Sequence, residues 1–157
     1  MKKTLFILFI IFTGKIFFPT NSFAQLLNYS FEEMERIQKK NPKNRVIFIH
    51  TDWCKYCQKM KNTTFENEKI INLLNNKFYY VDFDAEENRD IKFVNHTFKY
   101  KPTGTNTGVH ELATQLGTVN GKLSYPTLCI LNEKNEIIFQ YDQFLSSSDL
   151  LNILKKI

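Results

Sequence analysis

Cys54 and Cys57 stand in Trp53-Cys54-Lys55-Tyr56-Cys57, two thiols separated by two residues. A pair at this spacing can cycle between dithiol and disulfide. The first sulfur attacks a disulfide in another molecule, and the second resolves the mixed disulfide that results. Attack requires a thiolate, which is favoured at a helix N-terminus by unpaired backbone N–H groups and the helix dipole. Lys55 adds a positive charge in the same sense, unless it is simply a solvated lysine at a helix start. Tyr56 either contacts a partner protein or shields the disulfide. The same pair could be half of a zinc site, but that needs two more ligands, and Cys129, His50, His96 and His110 show no paired spacing. Met60, three residues after Cys57, reads as core packing or as the soft third ligand of a Cu(I) site. Three cysteines are too few for a disulfide scaffold, and the odd number leaves at least one without an intramolecular partner. Cys129, in an apolar segment, reads as a small buried hydrophobe.

These thiols must be positioned by the elements around them. Arg45 to Thr51, RVIFIHT, is nearly continuously apolar and predicts a central buried strand directly before the cysteines. Trp53 to Asn62 predicts a helix, Glu66 to Asn76 a second, and FYYVDF (78–83) another strand. Ahead of them, Ser30-Phe31-Glu32-Glu33 is a capping box opening a helix that ends before Asn41-Pro42. Ile91 to Val94 and Thr97 to Tyr100 alternate around Asn95-His96 and predict a small hairpin, followed by a loop over 101–108. Val109 to Leu116 has helical spacing. Thr127 to Leu131 and Ile137 to Tyr141 predict paired strands, and Ser148 is expected to cap a last helix. Alternation of helix and strand with short connections predicts an α/β sheet with crossover helices. Tyr125-Pro126-Thr127 places a proline at a strand start, where the X-Pro bond is either cis or trans. A cis bond near the thiols would expose the Tyr125 backbone for pairing with an extended peptide.

With 157 residues, 43% hydrophobic and 24% charged, the chain predicts one globular domain. The 15 Phe and 7 Tyr supply a dense core. Lys2 and Lys3, the apolar run TLFILFIIF and Ser22-Phe23-Ala24 have the layout of a secretory signal peptide cut before Gln25. The other reading is a membrane anchor, but Lys15 interrupts the run well short of the ~20 apolar residues a spanning helix needs. Removing residues 1–24 takes away three lysines and no acids, leaving 18 basic against 16 acidic residues, so the net charge falls from +5 to +2. The remaining charge shows no basic stripe or recognition motif, which argues against nucleic-acid binding. The expected organisation is a signal peptide at 1–24 and one domain at 25–157. With no ER-retention tetrapeptide at the C-terminus, the expected compartment is a bacterial periplasm or exterior.

From Tyr29 to Ile157 the chain resembles the thioredoxin superfamily. The resemblance rests on strand RVIFIHT, motif WCKYC, strand FYYVDFD, YPT before a core strand, and a terminal hairpin and helix. WCKYCQKMKNTTF is similar to the subgroup that includes the C-terminal domain of the bacterial membrane thiol:disulfide interchange protein. The resemblance implies a three-layer α/β sandwich with a mixed central sheet. It also implies Cys54 as attacking thiol, Cys57 as resolving thiol and Pro126 as a cis proline, with Trp53 and Tyr125 beside the substrate. The chain departs from thioredoxins in two ways. Lys55-Tyr56 replaces Gly-Pro between the cysteines. Phe48 stands where thioredoxins carry a buried acid that moves the resolving thiol's proton, so another group or water must do that work. His50, on the same strand face as Phe48, is either that group or a packed, hydrogen-bonded core histidine. The stretch 91–108 is longer than a thioredoxin needs and reads as an insertion that selects partners or as a neutral decoration.

The function expected from these features is an exported thiol–disulfide oxidoreductase. Its partners would be cysteine-containing exported proteins and a membrane electron donor. It would act as a monomer, with no cofactor beyond its own disulfide. The alternatives are a copper-handling thiol protein and a non-catalytic peptide-binding module.

Overall fold

Residues 25–157 are described by the computed structural model. Its centre is strand β1 (Asn44–His50), buried from Arg45 onward as its apolar run predicts. β1 pairs in parallel with β2 (Phe78–Asp84), with Phe48 opposite Asp82 and His50 opposite Asp84. On its other side it pairs antiparallel with β9 (Thr127–Leu131), which in turn pairs antiparallel with β10 (Ile137–Tyr141). The sheet order is β10-β9-β1-β2. Because the parallel pair needs a crossover, α2 (Lys55–Thr63) and α3 (Glu68–Lys77) connect β1 to β2.

Successive side chains of β1 point to opposite faces, so one strand serves two cores. Ile47 and Ile49 pack with Phe31, Met34, Phe83, Ile91, Phe93 and Leu112. Val46 and Phe48 pack with Cys57, Met60, Ile70, Leu74, Leu150 and Leu154. The first cluster is covered by α1 (Phe31–Gln38) and α4 (Glu111–Gly117), the second by α2, α3 and α5 (Ser147–Leu154). The result is the expected three-layer α/β sandwich. The capping box of α1 is present: the Glu33 N–H donates to Ser30 Oγ, and the Ser30 N–H to the Glu33 carboxylate.

Several boundaries move. Trp53 lies outside α2, and Cys54 is its N-cap. Asn67 caps α3, accepting bonds from the Lys69 and Ile70 N–H groups. Ser146, not Ser148, caps α5, because its hydroxyl is the one that accepts from the Asp149 N–H. The expected hairpin forms as β3 (Ile91–Phe93) and β4 (His96–Phe98), but Val94-Asn95 make the turn, both at positive φ. The expected loop over 101–108 forms at 103–107, but its ends belong to a second hairpin, β5 (Tyr100–Pro102) with β6 (Gly108–His110). Val109 is therefore in β6, and α4 starts at Glu111. A further short hairpin, β7 (Thr118–Val119) and β8 (Lys122–Leu123), was not expected from the sequence.

The first hairpin is not a surface ornament. Ile91 and Phe93 are buried, while Lys92 between them is exposed, as the alternation predicts. The Phe31 ring meets that of Phe93 edge-on at 5.2 Å. Glu32 and Glu35 of α1 accept bonds from the Lys92 and Val94 N–H groups. The signal-peptide reading of 1–24 lies outside the described residues, among which no helix is long and apolar enough to cross a membrane.

Candidate active site

The chain leaves the sheet at the C-terminal end of β1 and turns at once into α2. The Cys54 N–H donates to the Thr51 carbonyl at 3.2 Å, closing that turn. Cys54 and Cys57 form a disulfide, with Cα atoms 5.2 Å apart. As N-cap, Cys54 accepts the Cys57 N–H on its sulfur at 3.1 Å. The helix start is thus aimed at the sulfur that would carry the thiolate, where it favours negative charge. In this oxidised form Cys54 is 6% exposed and Cys57 0%, the order expected for an attacking and a resolving thiol.

Around the disulfide stand aromatic side chains. Trp53 is 66% and Tyr56 64% exposed, a high value for side chains of this size. The Trp53 indole N–H donates to the Glu86 carboxylate at 3.1 Å, and its ring meets Tyr125 edge-on at 5.8 Å. Tyr56 lies 6.5 Å from Phe144, over which Lys59 places its ammonium. The Tyr125–Pro126 bond is cis, as the resemblance implied. Burial, then the nearby Glu86 and Asp84 carboxylates, push the Tyr125 phenol up to about 12, so it stays protonated. Lys55 is exposed.

His50 is buried, and its ring stacks on Phe48 at 5.6 Å. It is not an isolated core histidine. Its Nε2 lies 2.8 Å from Asp82 Oδ1 and 3.0 Å from Lys61 Nζ, and Lys61 Nζ lies 2.9 Å from Asp82 Oδ2. Burial pushes the Asp82 carboxyl up. The hydrogen bonds and charges of His50 and Lys61 outweigh that and hold it below the ordinary carboxylate value. Met60 is buried in the same cluster as Cys57, filling the core. Cys129 is a free, buried thiol, pushed up to about 12 by burial alone. The zinc candidates do not assemble: among the described residues no group of three or more His, Cys, Asp or Glu side chains is placed to hold a metal ion.

Glu86, Asp82, Lys61 and Phe144 were missed in the sequence. Asp82 had a signal, as the single acid inside the otherwise apolar run FYYVDF at 78–83, and Lys61 another, four residues after Cys57. Glu86 and Phe144 had none, because they reach the site across 33 and 88 residues of chain.

A disulfide at the N-cap of the helix following a central strand, beside a cis proline, belongs on the fold of the thiol–disulfide oxidoreductases. The family model for the thioredoxin-like domain matches residues 30–157, and the chain belongs to that family. Among solved structures it is similar to the DsbH oxidoreductase, with a TM-score of 0.60 and 17% identity over 91% of this chain and 93% of that one. A thioredoxin from Thermus thermophilus aligns with a TM-score of 0.59 and 18% identity over 84% of this chain and 87% of that one. A disulphide isomerase from Xylella fastidiosa gives 0.53 and 14%, over 80% and 86%. These likenesses define the fold. Spermatogenesis-associated protein 20 of Rattus norvegicus is 36% identical over 66 residues, 41% of this chain and 8% of that protein. The chain therefore spans only a small part of that relative's length.

Proposed function

We propose that this chain is an exported thiol–disulfide oxidoreductase that reduces or exchanges disulfides in envelope proteins through Cys54 and Cys57. The observation that carries the reading is the Cys54–Cys57 disulfide at the N-cap of α2, with the more exposed sulfur facing the helix start. Cys54 attacks as thiolate, a mixed disulfide forms, and Cys57 resolves it. Trp53, Tyr56 and Tyr125 offer the partner an apolar rim, and Lys55 adds positive charge at the same end. Export rests on the leader-like layout of residues 1–24. The partners are cysteine-containing exported proteins, and a membrane electron carrier restores the dithiol when the chain acts as a reductase. The redox-active disulfide serves as the cofactor, and the chain works as a monomer without nucleic acid.

Reduction of insulin disulfides, together with the equilibrium potential against glutathione, tests this reading. The native chain should reduce insulin, Cys54→Ser should abolish the reaction, and Cys57→Ser should accumulate mixed disulfides through Cys54. Mixed disulfides through Cys57 instead would reverse the two roles. Full function of a Cys54→Ser, Cys57→Ser double variant would replace the enzyme with a binding module. Mass spectrometry of the protein recovered from the cell envelope should show an N-terminus at Gln25, whereas an intact Met1 or Lys2 start means an uncleaved anchor.

A further inference from the structure

Phe48 leaves the resolving thiol without an acid on its own strand, yet directly opposite Phe48 on β2 stands Asp82. Asp82, His50 and Lys61 meet on the face of the sheet that also packs Cys57. Lys61 follows Cys57 by four residues on α2, so the two share one stripe of the helix, with Cβ atoms about 5–6 Å apart. Lys61 thus ties the cluster to α2 one helical turn beyond Cys57. It also reaches water, because Lys61 and Asp82 line a cleft of about 460 Å³ together with Phe65, Glu66, Glu68 and Tyr80.

The cluster has two proton arrangements. When His50 Nε2 carries the proton it donates to Asp82 Oδ1, which has no other donor among the described residues, and Lys61 keeps its bond to Oδ2. Nδ1 is then a bare nitrogen, buried and without a partner among the described residues. When Nε2 is bare it accepts from Lys61 instead, and Asp82 Oδ1 is orphaned. A buried carboxylate oxygen left unpaired is costly, so the first arrangement prevails. It presents a bare ring nitrogen on the side of His50 away from Asp82.

We propose that the His50–Asp82–Lys61 cluster holds the proton that Cys57 gives up in the resolving step, replacing the acid absent at Phe48. This rests on the oxidoreductase reading above. In that step the Cys57 S–H bond breaks and the proton goes to His50 Nδ1. The Cys57 sulfur bonds to Cys54 Sγ while the bond from Cys54 to the substrate sulfur breaks. The electron pair leaves on the substrate thiolate, and the proton later passes to water through the cleft. Asp82 and Lys61 are positioning residues that set the tautomer and orientation of His50. The charged groups facing His50 are Asp82 and Asp84 of β2, Lys61 of α2, and Glu87 and Arg89 of the segment after β2, with Glu66 and Glu68 across the cleft.

Oxidised glutathione, mixed with the reduced full chain in stopped flow, releases one glutathione on attack by Cys54 and a second on resolution by Cys57. In Asp82→Asn and His50→Gln the second release should slow roughly tenfold or more near pH 6.5. The first release should change less than about twofold. The deficit should close as pH rises past the ordinary thiol range near 8.5. Lys61→Met, at a partly exposed position outside the core, should move the pH profile of the second release alone. It carries the test if either buried variant fails to fold by thermal unfolding. Superimposable second-release profiles in the folded variants overturn the proposal. A native chain that exchanges with glutathione in neither step overturns the oxidoreductase reading instead.

Discussion

At the scale of single residues, the three cysteines differ by environment rather than by chemistry. Cys54 caps a helix and keeps a little exposure, Cys57 is closed off inside the helix, and Cys129 sits in the centre of the sheet with its thiol pushed up to about 12. Reactivity follows the thiolate fraction, so iodoacetamide added to the reduced, folded chain should modify Cys54 first. Cys129 should be modified only after unfolding, as mass spectrometry of the peptides would show. Early labelling of Cys129 would mean that β9 opens readily. Val94 is a second case where one residue is at odds with its place. A β-branched side chain at φ 49° is held in the left-handed region, which costs an L-residue about 1–2 kcal/mol. Val94 is exposed, so little packing opposes a change. Val94→Asn should raise stability by about 1 kcal/mol in urea titrations, and no gain would mean that the hairpin does not bear that strain.

At the scale of elements, α4 begins on an unusual cap. His110 accepts the Leu112 N–H on Nδ1 at 3.2 Å, and its Nε2–H donates to the Arg89 carbonyl at 3.2 Å, so the ring is neutral in the folded state. Burial pushes its pKa below the ordinary 6.5. The Arg89 carbonyl and the carboxylates of Glu87, Glu111 and Asp90 oppose that without cancelling it. The unfolded chain therefore binds this proton more readily than the folded one. The contribution is full above about pH 6.5 and is lost as pH falls toward the lowered folded value. Urea midpoints should decline over that window, and His110→Asn, which keeps a good cap, should flatten the decline. An unchanged slope would assign it to other groups. The hairpin of β3 and β4 is just as firmly placed, since Phe93→Ala empties a buried site between α1 and the sheet. It should cost about 3–5 kcal/mol and drop the thermal midpoint by many degrees; a loss below about 1 kcal/mol would make the hairpin an appendage.

At the scale of the whole molecule, what could be read in advance was what is local in the chain. The Cys54–Cys57 spacing, the apolar run of β1, the capping box at Ser30 and the proline at the start of β9 each announce themselves within a few residues. Asp82 and Lys61 carried a local mark, but its meaning depends on which strand lies beside Phe48 and which helix face lies above it. The short strands β5 to β8 escaped because two or three residues carry no period to detect. The fold confines any partner-selecting role of the 91–108 stretch to fewer residues. Replacing residues 95–106 would destroy β4 and β5, whereas 103–107 is an exposed crossing between two strands. A short linker in place of 103–107 should leave stability and redox potential unchanged and alter the set of partners trapped by Cys57→Ser. An unaltered set would make that loop a decoration.

β1 feeds two cores by strict alternation, with Ile47 and Ile49 to one side, Val46 and Phe48 to the other, and His50 ending on the second. Adding or losing one residue within 44–50 would send every following side chain to the wrong layer and carry the histidine away from Asp82. In terms of descent, this strand can change its letters but not its length. The crossing at 103–107 can change both. A lineage carrying this chain can lengthen, shorten or rewrite that edge while its thiols are inherited in place.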